Sequence, residues 1–183
     1  SGIGQGEVLS KFGIEVAHDL KGVGENLQDH LQIRTVFKVS NAVTLNQRAN
    51  SLLGKISMGL EYMISRSGPL SMAPSQLGLF TKSDESKETP DLEYLIQPLS
   101  TDKLGDPLHP YPAITASVCN LRPDSRGGVH IQSPDYRAQP AIRANYLSHP
   151  NDRKIAAGSI KLTRRIMAAR AVAKYAPEEM LPG

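Results

Sequence analysis

Leu92-Glu93-Tyr94-Leu95-Ile96-Gln97-Pro98-Leu99 and Ala113-Ile114-Thr115-Ala116-Ser117-Val118-Cys119-Asn120-Leu121 are two strand-like runs in the middle of the chain. The loop between them holds Pro107, Pro110 and Pro112. On the N-terminal side, Gln32 to Val39 sets Ile33, Thr35, Phe37 and Val39 against Arg34, Val36 and Lys38, the period of a half-buried strand. On the other side, Arg122 to Gly128 reads as a hairpin-type connection, with proline at a turn start and paired glycines. Gly128 to Ser133 is then the expected return strand, and Ala141 to Asn145 a further one. Helices flank this block. Arg48 to Ser67 carries a stripe of Leu53, Ile56, Leu60, Met63 and Ile64 and ends at Gly68-Pro69. Asn151 to about Ala173 carries Ile155, Leu162, Ile166, Ala169 and Ala173, with Pro177 as a stop. Strands gathered between helices predict an α+β fold, a mainly antiparallel sheet packed against helices.

An N-terminal connector arm precedes this block. Gly6 to Phe12 is a short helix with Val8, Leu9 and Phe12 on one face, capped by Gly13. Gly22 and Gly24 force a tight turn around Val23. Between the helix ending at Gly68 and the central strands, Pro69 to Lys82 is apolar but broken by Pro74 and Gly78. It reads as a bent or lining segment, followed by a polar surface loop from Thr81 to Pro90.

The 183 residues, 39% hydrophobic and 21% charged, can bury one sizeable core. A net charge of +3 does not by itself imply nucleic acid, and none is expected as a partner. The basic residues Arg153, Lys154, Lys161, Arg164, Arg165, Arg170 and Lys174 nevertheless gather on one predicted helix, as a solvated face or one docking on an acidic neighbour. Cys119 is the single cysteine, so it forms no intrachain disulfide; its apolar run makes it a small buried hydrophobe, which fits a reducing, cytoplasmic setting. No apolar run reaches the ~18 residues of a membrane span.

On chemistry alone the motifs are incomplete. Gly22-Val23-Gly24 lacks a third glycine and a following helix, so a bent linker competes with a phosphate cradle. His18-Asp19 and Asp29-His30 set a carboxylate beside an imidazole, but adjacent side chains diverge, and structural pairs are the simpler reading. His109, His130 and His149 show no metal spacing. No serine sits in a nucleophile elbow.

Ser1-Gly2-Ile3-Gly4, an apolar helix, and then Gly13-Ile14-x-Val16-x-x-Asp19-Leu20-x-Gly22-Val23-Gly24-Glu25-Asn26-Leu27-Gln28-Asp29-His30 resemble the glucose–methanol–choline (GMC) family of flavin-dependent oxidoreductases. The resemblance continues through Leu45-Asn46, Gly59-Leu60-Glu61-Tyr62, Gly68-Pro69-Leu70, Asn120-Leu121-Arg122-Pro123, Ser125-Arg126-Gly127 and Asn145-Tyr146-Leu147. It closes with Asp152-Arg153 and Leu181-Pro182-Gly183. Lys21 departs from the proline usual before Gly22. The chain opens on a glycine-rich turn with no start methionine before it, as a piece of a larger protein would.

The resemblance implies an FAD-dependent alcohol dehydrogenase, choline dehydrogenase-like, that oxidises a primary alcohol to an aldehyde by hydride transfer to flavin. It also implies that the Gly-x-Gly-x-x-Gly fingerprint lies upstream of this chain and the catalytic histidine downstream. Residues 1–31 would then be a connector beside FAD, and 32–183 a substrate-binding domain incomplete at its C-terminal side. Ser1, Gly2, Ile3, Gly4, Gly22, Gly24, Asn26, Leu27, Asp29 and His30 match the family's cofactor-adjacent segments. Met72, Ser75 and Gln76 match a segment lining the substrate pocket. Gln76 stands where choline-acting members carry an acid, and the chain has no Trp; Tyr62, Tyr94 and Tyr111 remain as possible walls, so an alcohol without a permanent cation is preferred.

On this reading the chain alone is inactive, binds no FAD, takes the remainder of the parent enzyme as partner and self-associates as a dimer through uncovered apolar surface. The alternative is a stand-alone interaction module whose basic helix, through Lys154, Lys161 and Arg165, docks an acidic partner.

Overall fold

The computed structural model describes residues 1–103 and 105–183. The elements run, in order, β1 (Ile3–Gly4), α1 (Gly6–Lys11), β2 (His18–Asp19), β3 (Gln32–Lys38), α2 (Leu45–Asn50) and α3 (Leu52–Ser65). There follow β4 (Leu77–Thr81), β5 (Leu92–Gln97), β6 (Ala113–Asn120), β7 (Gly128–His130), β8 (Ala141–Arg143), α4 (Pro150–Met167), α5 (Arg170–Ala173) and β9 (Glu178–Leu181). The chain divides into two compact units, one of residues 1–31 with 122–154 and one of residues 32–121 with 155–183. The class is α+β, as expected. Among the described residues no helix is long and apolar enough to cross a membrane.

The larger unit is a five-stranded sheet in the order β4-β5-β6-β3-β9, antiparallel throughout. β6 is its centre and is buried along nearly its whole length. Leu92, Tyr94 and Val118 on the sheet meet Ile155 of α4, with Ile33, Ile96, Leu162 and Ile166 around them. Phe37, Ala116 and Met167 extend the same layer. The Tyr94 hydroxyl, fully buried, donates to the Ser159 carbonyl at 2.9 Å and accepts from Thr163 Oγ1 at 3.2 Å. Burial pushes the phenol's pKa up, against the bond from Thr163.

Four local expectations change. The predicted helix from Arg48 to Ser67 is two helices, because Ser51 adopts extended backbone and its Oγ caps α3 through Gly54 N at 3.3 Å. Gly54 lies so close to the Arg48 carbonyl that no side chain fits there. Pro69–Lys82 contributes an edge strand, β4, after a single 3₁₀ turn. The strand opening at Gly128 does not return along β6; it pairs with β8 in a separate ribbon. Beyond Pro177, β9 adds to β3, and Glu179 accepts two 2.7 Å bonds from the Arg164 guanidinium. The long C-terminal helix stops at Met167, short of Ala173, and nothing in the alanine-rich sequence there explains the break.

In the smaller unit, β1 and β2 pair in parallel, and Leu27 bridges Gly127. The Asp19 carboxylate accepts from Gly6 N at 2.8 Å and caps α1. Asp152, in the first turn of α4, accepts from the amides of Asp124 at 2.9 Å and Ser125 at 2.7 Å. Burial works to raise its pKa. The Ser125 side chain, these two amides and the nearby His149 outweigh that and hold it below the ordinary carboxylate range.

A carboxyl group depressed in the folded state contributes stability that is present above its unfolded value, near pH 4, and is lost as pH falls through the folded value. Urea unfolding followed by amide exchange across residues 122–154 is therefore expected to weaken steadily below about pH 4. Asp152→Asn, destabilised at neutral pH, is expected to show a shallower acid slope over the same residues.

Candidate functional site

The two glycine blocks singled out in the sequence meet in the smaller unit. Gly2 has φ +74°, and a Cβ there would stand 2.6 Å from the Glu15 carbonyl oxygen. Its own carbonyl accepts from Ala17 N at 2.8 Å and His18 N at 3.1 Å, while the Gly4 carbonyl accepts from Leu20 N at 2.8 Å. Gly24, at φ +85°, accepts from Val129 N at 2.7 Å, and a Cβ would collide with the Val129 carbonyl. Glycine is required at both positions by φ and by backbone approach. Gly22 is different: it is exposed, and nothing lies within 4 Å of where a Cβ would stand.

Ile3, Gly4, Gln5, Val8, Leu9 and Val23, with Val129, His130 and Ile131, line a largely apolar cleft of ≈ 80 Å³. Glu25 accepts from Gln5 Nε2 at 2.7 Å and pairs with His130 Nε2 at 2.8 Å. The His130 bond first, then the Gln5 bond, hold the Glu25 carboxyl below its usual range. Glu25 and His130 also border a second, wider cleft of ≈ 420 Å³ with Arg126, Gly127, Gly128, Arg143 and Asn145. An apolar slot beside one bordered by Arg126 and Arg143, with the Glu25–His130 hydrogen bond on the border of both, suits the edge of a planar ring next to an anionic group.

Of the predicted cofactor-adjacent residues, Ile3 and Gly4 line the slot, Gly2 braces it, and Ser1 and Gly22 stand exposed. Asn26 (φ +58°) and Leu27 carry the chain to Gly127. Asp29 accepts from His30 N at 3.0 Å and from the Tyr146 hydroxyl, so Asp29-His30 is a local pair bound to neighbouring backbone and tyrosine. Gln5, Glu25, His130, Arg126 and Arg143 were not foreseen. The paired glycines just before His130 were the available signal.

In the larger unit, Met72 and Gln76 are exposed and Ser75 is half-buried; Ser75 Oγ accepts from Gln97 Nε2 at 2.9 Å, and Gln76 N donates to the Ile96 carbonyl at 3.1 Å. Tyr94 is no pocket wall, since it lies wholly in the core. Tyr62 is covered by the Arg66 guanidinium, 5.2 Å from its centroid. Tyr111 stacks on His109 at 5.0 Å, with Lys38 Nζ 6.0 Å from the ring.

A Ser-His-Asp chain also occurs in this unit: Ser100 Oγ to His109 Nδ1 at 2.9 Å, and His109 Nε2 to Asp102 Oδ1 at 3.1 Å. Ser100 is fully buried and receives a further bond from Asn46 Nδ2, so it cannot reach a substrate and the chain is structural. Burial first, then the charge of Glu93, pushes the Cys119 thiol up to about 11, which leaves it inert, as expected of a buried cysteine. Along the basic helix, Arg164 is taken by Glu179, and the groove beside Lys161 and Arg165 also carries Asp84 and Glu85.

Residues 123–182 match the family model described as GMC oxidoreductase. Over its full length the chain is 33% identical to an oxygen-dependent choline dehydrogenase of Stenotrophomonas maltophilia (strain K279a), of which it covers 32%. It is 35% identical to an alcohol dehydrogenase [acceptor] of Pseudomonas putida, covering 33% of that protein. The fold matches a variant of Aspergillus oryzae RIB40 formate oxidase studied for its FAD modification, with TM-score 0.83, 22% identity and 36% of that chain covered. It also matches a pyridoxine 4-oxidase from Mesorbium loti, with TM-score 0.76, 21% identity and 32% covered. The chain thus spans about a third of the length of these relatives.

Gly24→Ala is expected to strain the turn by about 1–3 kcal/mol, beyond the collision itself. Hydrogen exchange should quicken in residues 1–31 and 122–154 while residues 92–120 keep their protection.

Proposed function

We propose that the chain is part of an FAD-dependent alcohol dehydrogenase of the GMC oxidoreductase family, the family whose model its residues 123–182 match. The reaction is oxidation of a primary alcohol to an aldehyde, in which the flavin, when bound, accepts the hydride. The observation carrying this reading is the convergence of Ile3-Gly4 and Val23 on one apolar slot beside the open backbone of Gly22. That geometry fits one wall of a flavin site and is too small for the whole cofactor. Residues 1–31 serve as the connector along the cofactor and residues 32–183 as the substrate-binding domain. Gly22 and the strand at Ile3-Gly4 present backbone to the cofactor, Gly24 holds the turn from behind by packing on Val129, and the Glu25–His130 pair keeps the slot's rim in place. Asn26, Leu27, Asp29 and His30 continue that wall.

Met72, Ser75 and Gln76 border the alcohol. Ser75 is held by Gln97, so Gln76, with its side chain exposed, is the better placed of the two to contact substrate. A quaternary ammonium seeks an open aromatic face and a carboxylate. Here Gln76 is neutral, Tyr62 already carries Arg66, and Tyr111 is flanked by His109 and Lys38. These features favour an alcohol without a permanent cation.

The 183-residue chain alone is expected to bind no FAD and to oxidise no alcohol; a flavin-coloured, active preparation of it overturns the reading. In a full-length protein carrying this stretch, anaerobic reduction of the flavin by uncharged primary alcohols is expected to outpace that by choline. Gln76→Glu is expected to raise kcat/KM for choline by about tenfold, the scale of one added charge contact.

A further inference from the structure

α3 shows its apolar face to solvent. Leu52, Leu53, Ile56, Leu60, Met63 and Ile64 are 50 to 83% exposed, while Met58 on the opposite side is buried. At 3.6 residues per turn these six fall within about a third of the helix circumference, and no other residue of α3 enters that arc. The helix is anchored from behind by Met58 and by Glu61, whose carboxylate accepts from Arg48 at 2.9 Å.

The stripe is symmetric in sequence about position 58. Leu52 mirrors Ile64, Leu53 mirrors Met63, and Ile56 mirrors Leu60. Two antiparallel helices bring residues of constant summed number opposite each other, so this pattern is its own complement across a two-fold axis. Leu52, Ile56, Leu60 and Ile64 form one ridge of fourfold spacing, which packs into its own kind at about −50°. The six side chains expose roughly 800 Å², so covering most of that area approaches one partner's share of a standard interface.

We infer that α3 is the interface of a homodimer, docking antiparallel on α3 of a second copy of this chain. Leu52 of one copy meets Ile64 of the other, Leu53 meets Met63, and Ile56 meets Leu60. The contact needs no charged partner, since the arc contains no ionisable residue. It is expected whether or not the parent protein oxidises an alcohol.

Sedimentation equilibrium of the 183-residue chain tests it. A dimer dissociating in the micromolar range is expected. Ile56→Glu and Leu60→Glu each enter the interface twice and should weaken it by at least about a hundredfold, with unchanged circular dichroism. The Leu53→Cys/Met63→Cys double variant should oxidise to a covalent dimer, and Leu53→Cys alone should not; buried Cys119 stays out of the reaction. A monomer at all concentrations overturns the inference, as does a dimer indifferent to Ile56→Glu, which would put the contact on another surface such as the β4 edge. Equal cross-linking of the single and double variants overturns the register. A monomer that co-floats with phosphatidylcholine–phosphatidylglycerol vesicles assigns the face to lipid and overturns the dimer.

Discussion

The β6 ladder is the constraint on which the larger unit depends. β6 pairs with β3 through seven consecutive residues and with β5 through six, with no bulge on either side. Buried almost throughout, it can keep its amides only if both neighbours stay in register, because a one-residue slip would turn every side chain to the wrong face. Fixing β5 in this way drives Tyr94 into α4, where its hydroxyl joins Ser159 and Thr163. Sheet and helix are therefore tied by a buried polar contact as well as by apolar area, and that contact fixes the position of α4 along the sheet.

Much of this was readable in advance. β3, β5 and β6 follow from alternation and length, and α4 from its stripe, because burial on one face writes a period into the sequence. The partners of that burial are not written there. Gly128-Val129-His130 has the look of a return strand after a glycine turn, yet its hydrogen bonds go to residues 141–143. β9 is short, follows a proline and carries two glutamates, so nothing local announces it; its place depends on an open edge of β3 and on Arg164. Tyr94 could be assigned to a wall or to the core only by knowing where Ser159 lies. The stripe on α3 was recognised correctly as one face, but periodicity says nothing about what covers a face.

The candidate site divides along the same line. Gly2 and Gly24 were legible because positive φ and close backbone approach restrict the residue type at the position itself. Glu25 and His130, which form the rim, stand 105 residues apart, and neither has a distinctive local pattern. Asp29-His30, the more conspicuous pair, is occupied with its own backbone and Tyr146. The aromatic side chains that a cation would want are engaged by Arg66, His109 and Lys38, which no count of tyrosines reveals.

Each unit is made of two stretches of chain separated by a stretch of the other. During synthesis the ribosome delivers residues 1–31 long before 122–154, so the glycine turn at Gly24 must wait about a hundred residues for Val129. The β3 edge likewise stays open until residues 178–181 emerge. Neither unit can fold as a completed N-terminal block, and the nascent chain carries an unpaired edge and bare apolar strands through most of its elongation. Shielding during that interval, rather than stability once folded, is where such an interleaved chain is most vulnerable.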